Sequence, residues 1–232
     1  MRAKKVRRIA KSTYLKLMRP KIVRSQKVFC IGSNKTGTTS MAKIFKQLGY
    51  IVGSQSEFEV LIHDWYNNRF DRIIRAVKYK GTAFQDIPFS LPKTYKVLDQ
   101  NFPNSKFILT VRDSEDEWYQ SVIRYESLRY GDGNLPTKEN LQRAKYHYHG
   151  WVWERNRMTN NTPEDDIYNE QILKESYLQH NQSVKKYFKD QPDKLLVINL
   201  KDPEANVKIC NFLNAKKIIE EVPWENRTQP NI

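Results

Sequence analysis

The chain has 232 residues and carries 40 Lys and Arg against 26 Asp and Glu, a formal net charge of +14. That length supplies one sizeable core and is short for two. The 12% aromatic content favours a folded chain over a disordered one, although only 39% of residues are apolar, and two cysteines, Cys30 and Cys210, give no disulfide framework and read as reduced core residues.

The basic excess is concentrated at the start. Residues 1–27 hold eleven Lys and Arg and no acid. Val6, Ile9, Tyr14, Leu15, Leu17 and Met18 suggest a short amphipathic helix ended by Pro20. Residues 1–25 therefore read as a basic lead-in, and 26–232 as a single domain. Two roles stand open for residues 1–27: peripheral contact with an anionic membrane or another polyanion, or a solvated lead-in that only partly folds on the domain. No apolar stretch is long enough for a signal core or a membrane span, which predicts a cytoplasmic protein, at most peripheral to a membrane.

The apolar run Val28–Ile31 predicts a strand. It breaks into Gly32-Ser33-Asn34-Lys35-Thr36-Gly37-Thr38-Thr39-Ser40-Met41, and a helix is expected over Thr39–Leu48 with Gly49 as its C-cap. A Gly- and Thr-rich loop between a strand and a helix is an anion cradle, because consecutive N–H groups and the helix dipole converge on one ligand. Gly32 and Gly37 have the spacing of the nucleoside-triphosphate P-loop, but that motif needs Lys after the second glycine, and here Thr38 stands there. The cation is Lys35, inside the loop. A Gly/Thr-rich turn capping an ordinary helix is the plainer alternative.

Further on, a short strand at Tyr50–Val52, polar helices over Glu57–Lys80 and a strand at Thr82–Gln85 are expected. The last ends at Asp86-Ile87-Pro88. A helix over Lys93–Asn101 leads to a buried strand, Phe107–Val111, which ends at Arg112-Asp113. Ser114 with Glu117 forms a capping-box pattern for the next helix, whose buried face is Trp118, Val122 and Tyr125. Arg112 is either a phosphate ligand or the partner of Asp113 or Glu115 in a surface ion pair. Residues 131–166 are polar without a clear period and read as a long excursion over the site. The alternation predicts an α/β fold of three layers, a mostly parallel sheet flanked by helices. Such sheets bind ligands at the C-terminal strand ends, where Lys35, Asp86 and Arg112 all fall.

The Lys35–Thr39 loop after its strand resembles the 5′-phosphosulfate loop of the P-loop sulfotransferases, which use 3′-phosphoadenosine-5′-phosphosulfate as donor. The strand ending at Arg112, followed by Ser121 on the next helix, resembles the unit that holds the donor's 3′-phosphate, although the separation here is one residue longer. Leu98–Leu109, a Tyr-x-x-His-Asn pattern at Tyr177–Asn181 opening a late helix, a strand like Leu195–Ile198, a helix like Ile209–Leu213, and Pro223-Trp224-Glu225-Asn226-Arg227 extend the likeness to one subgroup. The resemblance implies sulfuryl transfer to a hydroxyl, or less readily an amine. It implies that Asn34, Lys35, Thr36, Gly37, Thr38, Thr39, Ser40, Arg112, Ser121 and Arg227 hold the donor.

Three tasks follow: neutralise the leaving phosphate, stabilise the transferred group, and deprotonate the acceptor. Lys35 addresses the first two, with no metal needed. In the cytosolic members a His two residues before a Pro serves as base, and here Asp86 stands two residues before Pro88. A buried carboxylate can act so; the alternative is a helix cap or an Arg partner. His180 is the second candidate base, or a helix histidine bonded to backbone. His147 and His149 lack the cysteines or carboxylates of a metal site, and none is assigned. A small-molecule, glycan or lipid acceptor is expected, with no nucleic acid. The competing functions are a P-loop kinase, disfavoured by the displaced lysine, and a non-enzymatic polyanion- or nucleic-acid-binding protein using the basic arm.

Overall fold

Side-chain alternation along the strands builds the two faces of a central sheet. The structure, a computed structural model, describes residues 2–223, with side chains from Thr13 onward. Among the described residues the strands are β1 (Val28–Cys30), β2 (Ala83–Phe84), β3 (Lys106–Val111) and β4 (Leu195–Asn199), ordered β2-β1-β3-β4 with every pair parallel. Val28, Cys30 and Ile108 pack with Met41, Ile44 and Phe45 of α2 (Thr38–Gln47) and with Ile209 of α11 (Ala205–Phe212). Phe29, Ile31, Phe107 and Leu109 point to the other face. They meet Phe58 of α3 (Gln55–Glu59), Ile73 and Val77 of α5 (Asp71–Lys80), Leu98 of α6 (Thr94–Asn101) and Val184 of α10 (Glu170–Tyr187). This is the expected three-layer α/β arrangement.

A third apolar cluster roofs the C-terminal strand ends. It joins Ile62 of α4 (Ile62–Tyr66), Trp118 of α7 (Glu115–Tyr130), Leu141 of α8 (Lys138–Arg143) and Trp151 and Val152 of α9 (Trp151–Thr159) to Leu173 and Tyr177 of α10. Residues 131–166 thus contain two helices and a buried anchor, Trp151, rather than an irregular excursion. Their apolar residues serve this cluster and leave no stripe of helical period to read.

Other differences have local causes. The helix expected to stop at Pro20 is α1 (Arg2–Arg24), which continues through it. Its last turn is held from outside: Ile22 is fully buried, Ser25 N–H donates to Lys21 O at 3.0 Å, and the buried Lys27 Nζ donates to the Ile22 carbonyl and, at 3.0 Å, to Gly81 O. These contacts offset the amide that proline removes. The expected Tyr50–Val52 strand is a single bridge, Val52 to Ala83. Tyr177–Asn181 lies in the middle of α10, whose N-cap is Asn169. Of the Ser114 capping box only one half forms: Ser114 Oγ accepts from Glu117 N–H at 3.1 Å, while the Glu117 carboxylate turns to Arg112. The end of α2 matches expectation, with Gly49 at φ +84°, its N–H on Lys46 O and Tyr50 N–H on Phe45 O.

Gly32 lies where loop and sheet touch. A Cβ there would meet Thr110 Oγ1 at 2.1 Å and Thr110 O at 2.4 Å, and β3 backbone cannot move aside. Gly32→Ala is therefore expected to cost about 1–3 kcal/mol. Thermal unfolding checks this as a fall of about 2–4 °C per kcal/mol.

Candidate functional site

The chain leaves β1 toward β2 on one side and β3 toward β4 on the other, so the strand order reverses between β1 and β3. In open α/β sheets this reversal opens a crevice at the carboxyl ends. A cavity of about 440 Å³ lies there, bordered by the loop after β1, by Asp86 and Arg112, and by side chains of α3, α7, α9 and α10.

The loop owes its shape to two residues in left-handed conformation, Lys35 at φ +71° and Gly37 at φ +100°. Gly37 is the N-cap of α2 and brings no capping side chain, so α2 presents its N-terminus without one. Asn34, Lys35, Gly37, Thr38 and Thr39 border the cavity, as the cradle reading requires. Thr36 and Ser40 are buried and do not. Thr36 is spent inside the loop: its N–H and Oγ1 donate to Ser33 O at 3.2 and 2.6 Å, and its Oγ1 shares a 2.6 Å bond with Thr110 Oγ1. Lys35 Nζ lies 3.9 Å from the centre of the Tyr125 ring. Burial, and then the Arg112 charge, bring its pKa down to about 8.

Arg112 follows the last residue of β3. Its Nε donates to Lys35 O at 2.8 Å and its NH1 to Glu117 Oε1 at 3.1 Å, so its ion-pair partner is Glu117 and neither Asp113 nor Glu115. Asp113 instead accepts from Lys201 at 2.9 Å. The backbone N–H of Arg112 donates to the Tyr177 hydroxyl at 3.0 Å, and the Tyr177 ring stacks on Trp118 at 4.6 Å. Ser121 borders the same cavity from α7. Arg227 lies outside the described residues, as do positions 224–226 of its motif.

Asp86 follows β2 and Gln85 at φ +66°, a conformation Asp tolerates better than most residues. It is buried, and among the described residues it is neither the N-cap of a helix nor ion-paired with an Arg. Its Oδ1 accepts from Ile87 N–H at 2.8 Å and its Oδ2 from Gln55 Nε2 at 2.9 Å. The Asn34 side chain also bonds to it, while Asn34 Oδ1 accepts from Ser90 at 3.0 Å. Asn34 thus links the loop to this carboxylate. Burial, reinforced by the Glu59 charge, pushes the Asp86 carboxyl up to about 6. His180 is buried too. Its Nε2 donates to Ile31 O at 2.8 Å, which leaves Nδ1 as the lone-pair nitrogen beside the cavity, with no partner among the described residues. Burial lowers its pKa and keeps the ring neutral. His147 bonds to Glu59 at 2.9 Å and His149 to Arg143 O at 3.1 Å, so the two do not converge.

Four cavity residues were not picked out from the sequence. Glu126 and Arg155 pair through two bonds of 2.9 and 3.1 Å. Gln55 and Glu59, one turn apart on α3, join at 2.7 Å. The spacing of four between Gln55 and Glu59 was the available hint, and it is common on exposed helices.

Among the described residues no helix is long and apolar enough to cross a membrane. A family model described as a sulfotransferase domain matches residues 27–230. No curated protein gives a significant match.

Proposed function

The chain belongs to the sulfotransferase domain family, and from that premise we propose that it moves a sulfuryl group from 3′-phosphoadenosine-5′-phosphosulfate to a hydroxyl, with an amine as the second choice of acceptor. The observation that carries this reading is the juxtaposition of Lys35 and Arg112 at the ends of two adjacent strands, joined at 2.8 Å and bordering one cavity. The residues fit such a donor. Lys35 has no ion-pair partner among the described residues, Arg112 carries a planar fork suited to phosphate, and an N-terminus without a capping side chain faces the same space. When bound, the donor supplies the sulfuryl group and a phosphate leaving group.

Each residue then has one task. Lys35 stabilises the charge that gathers on the leaving oxygen, and Thr38 and Thr39 line the 5′ side. Arg112 holds the 3′-phosphate, with Ser121 as a further donor. Asp86 takes the proton of the acceptor hydroxyl. Its proton affinity near neutrality suits a general base, because the group is ionised at pH 7 and still basic enough to work. His180 Nδ1 is the alternative proton acceptor, favoured by its lack of a partner.

Calorimetric titration with 3′,5′-bisphosphoadenosine, set against ATP with magnesium, tests the donor class without an acceptor. Binding of the bisphosphate in preference to ATP is expected; the reverse preference would favour a kinase. Arg112→Ala should weaken the bisphosphate by about 10- to 150-fold, the worth of a charge-assisted hydrogen bond of about 1.5–3 kcal/mol. Affinity for adenosine 5′-phosphosulfate, which lacks the 3′-phosphate, should hardly change. Equal losses for both ligands would move the 3′ site elsewhere.

A further inference from the structure

The wall of the cavity beside Asp86 holds a second carboxylate, Glu59, and a single amide group joins the two. Gln55 Nε2 donates one hydrogen to Glu59 Oε1 at 2.7 Å and the other to Asp86 Oδ2 at 2.9 Å. The orientation of that amide is fixed from behind, because Gln85 Nε2 donates to Gln55 Oε1 at 3.2 Å. A flipped amide would turn its oxygen toward two carboxylates and its NH₂ toward another NH₂. Glu59 is anchored in turn by His147 Nε2 at 2.9 Å and Tyr146 Oη at 3.4 Å. A chain of hydrogen bonds therefore runs from α9's flank through α3 to the end of β2, and it ends on the proposed base.

We propose that Gln55 and Glu59 are positioning residues for Asp86, with Gln55 holding its carboxylate aimed at the acceptor hydroxyl and Glu59 holding Gln55. This rests on the reading of Asp86 as the base. With Oδ1 engaged by the Ile87 amide, Oδ2 by Gln55 and the Asn34 side chain bonded as well, the carboxylate is held against rotation. Glu59 touches no reacting atom. Its negative charge disfavours a second charge on Asp86, while the shared Gln55 hydrogen bond favours it, so the two neighbours act with opposite sign. The other titratable or charged groups facing Asp86 are Cys30 of β1, Lys35 of the loop, Tyr125 of α7 and Arg155 of α9. Arg155 is already bound to Glu126 by two hydrogen bonds, so Glu59 meets little local opposition.

The test is a carboxyl-carbon NMR titration of the full chain, labelled at aspartate, with the Asp86 resonance assigned by its loss in Asp86→Asn. Glu59→Gln should lower the Asp86 midpoint by roughly one pH unit. Gln55→Met should raise it, and should cut turnover of the donor by about 10- to 100-fold without weakening bisphosphoadenosine binding. Glu59→Asp should restore most of the wild-type midpoint. A purely structural role would move neither midpoint, so an unchanged midpoint in both Glu59→Gln and Gln55→Met overturns the proposal. If Glu59→Gln fails to fold, the Gln55→Met shift decides alone. Shifted midpoints together with wild-type turnover in Asp86→Asn would remove the base, and the positioning role with it. Failure of bisphosphoadenosine to bind wild-type enzyme would strike the donor reading separately.

Discussion

Lys35→Ala is expected to lower kcat by about 10²–10³-fold while the chain still folds. The side chain's described contact is the Tyr125 face at 3.9 Å, and a cation–π contact of that kind is worth about 0.5–2 kcal/mol. Stability should therefore fall only slightly. The chemistry loses far more, because a preorganised cation in a half-buried site costs no reorganisation when charge develops on the leaving oxygen. The backbone carbonyl that accepts from Arg112 is unchanged by the substitution, so the 3′ side should keep its affinity. Release of bisphosphoadenosine, with 4-nitrophenol as a generic acceptor, measures the rate, and circular dichroism measures the melting point. An unaffected rate would remove Lys35 from the chemistry.

Asp86→Asn should cost about 10²–10⁴-fold in kcat with little change in bisphosphoadenosine affinity. Its pH signature is more specific than its size. Burial pushes the Asp86 carboxyl up to about 6, and as the proposed base it acts in its ionised form, so kcat/KM is expected to fall as pH drops below that value. Burial brings the Lys35 ammonium down to about 8, and in the proposed role it acts protonated, so kcat/KM is expected to fall again as pH rises above that value. The wild-type profile is then a bell between about 6 and 8, and Asp86→Asn should erase the acid limb and leave the alkaline one. Retention of the acid limb in Asp86→Asn would assign it to another group, with His180 first in line.

What could be read from the chain was whatever announces itself locally. Lys35, Asp86 and Arg112 each stand just beyond an apolar run, and the parallel topology brings such ends together without further information. The loop glycines were legible for the same reason. The bonds of the Thr36 hydroxyl to Ser33 and Thr110 were not legible, because they depend on β3 lying beside the loop. Gln55, Glu59, Glu126 and Arg155 were invisible, since a polar residue on a polar segment gives no sign that the fold will bury it against a partner far along the chain. The distances in sequence explain this: Arg155 meets Glu126 across 29 positions and His147 meets Glu59 across 88. Trp151 marks a similar limit. Its burial depends on a cluster drawn from five helices, none of which carries the pattern alone.

Helix α10 touches both strand ends at once. Tyr177 takes the amide that follows β3, and His180, one turn later, grips the carbonyl that follows β1. The interval between the Lys35 loop and Arg112 is thereby gauged by a helix that supplies neither of these cations. If the two cations take the donor's two phosphates as proposed, nucleotide selectivity is partly a matter of calibration: loosening α10 should blur the preference for one inter-phosphate span over another before it weakens any single grip.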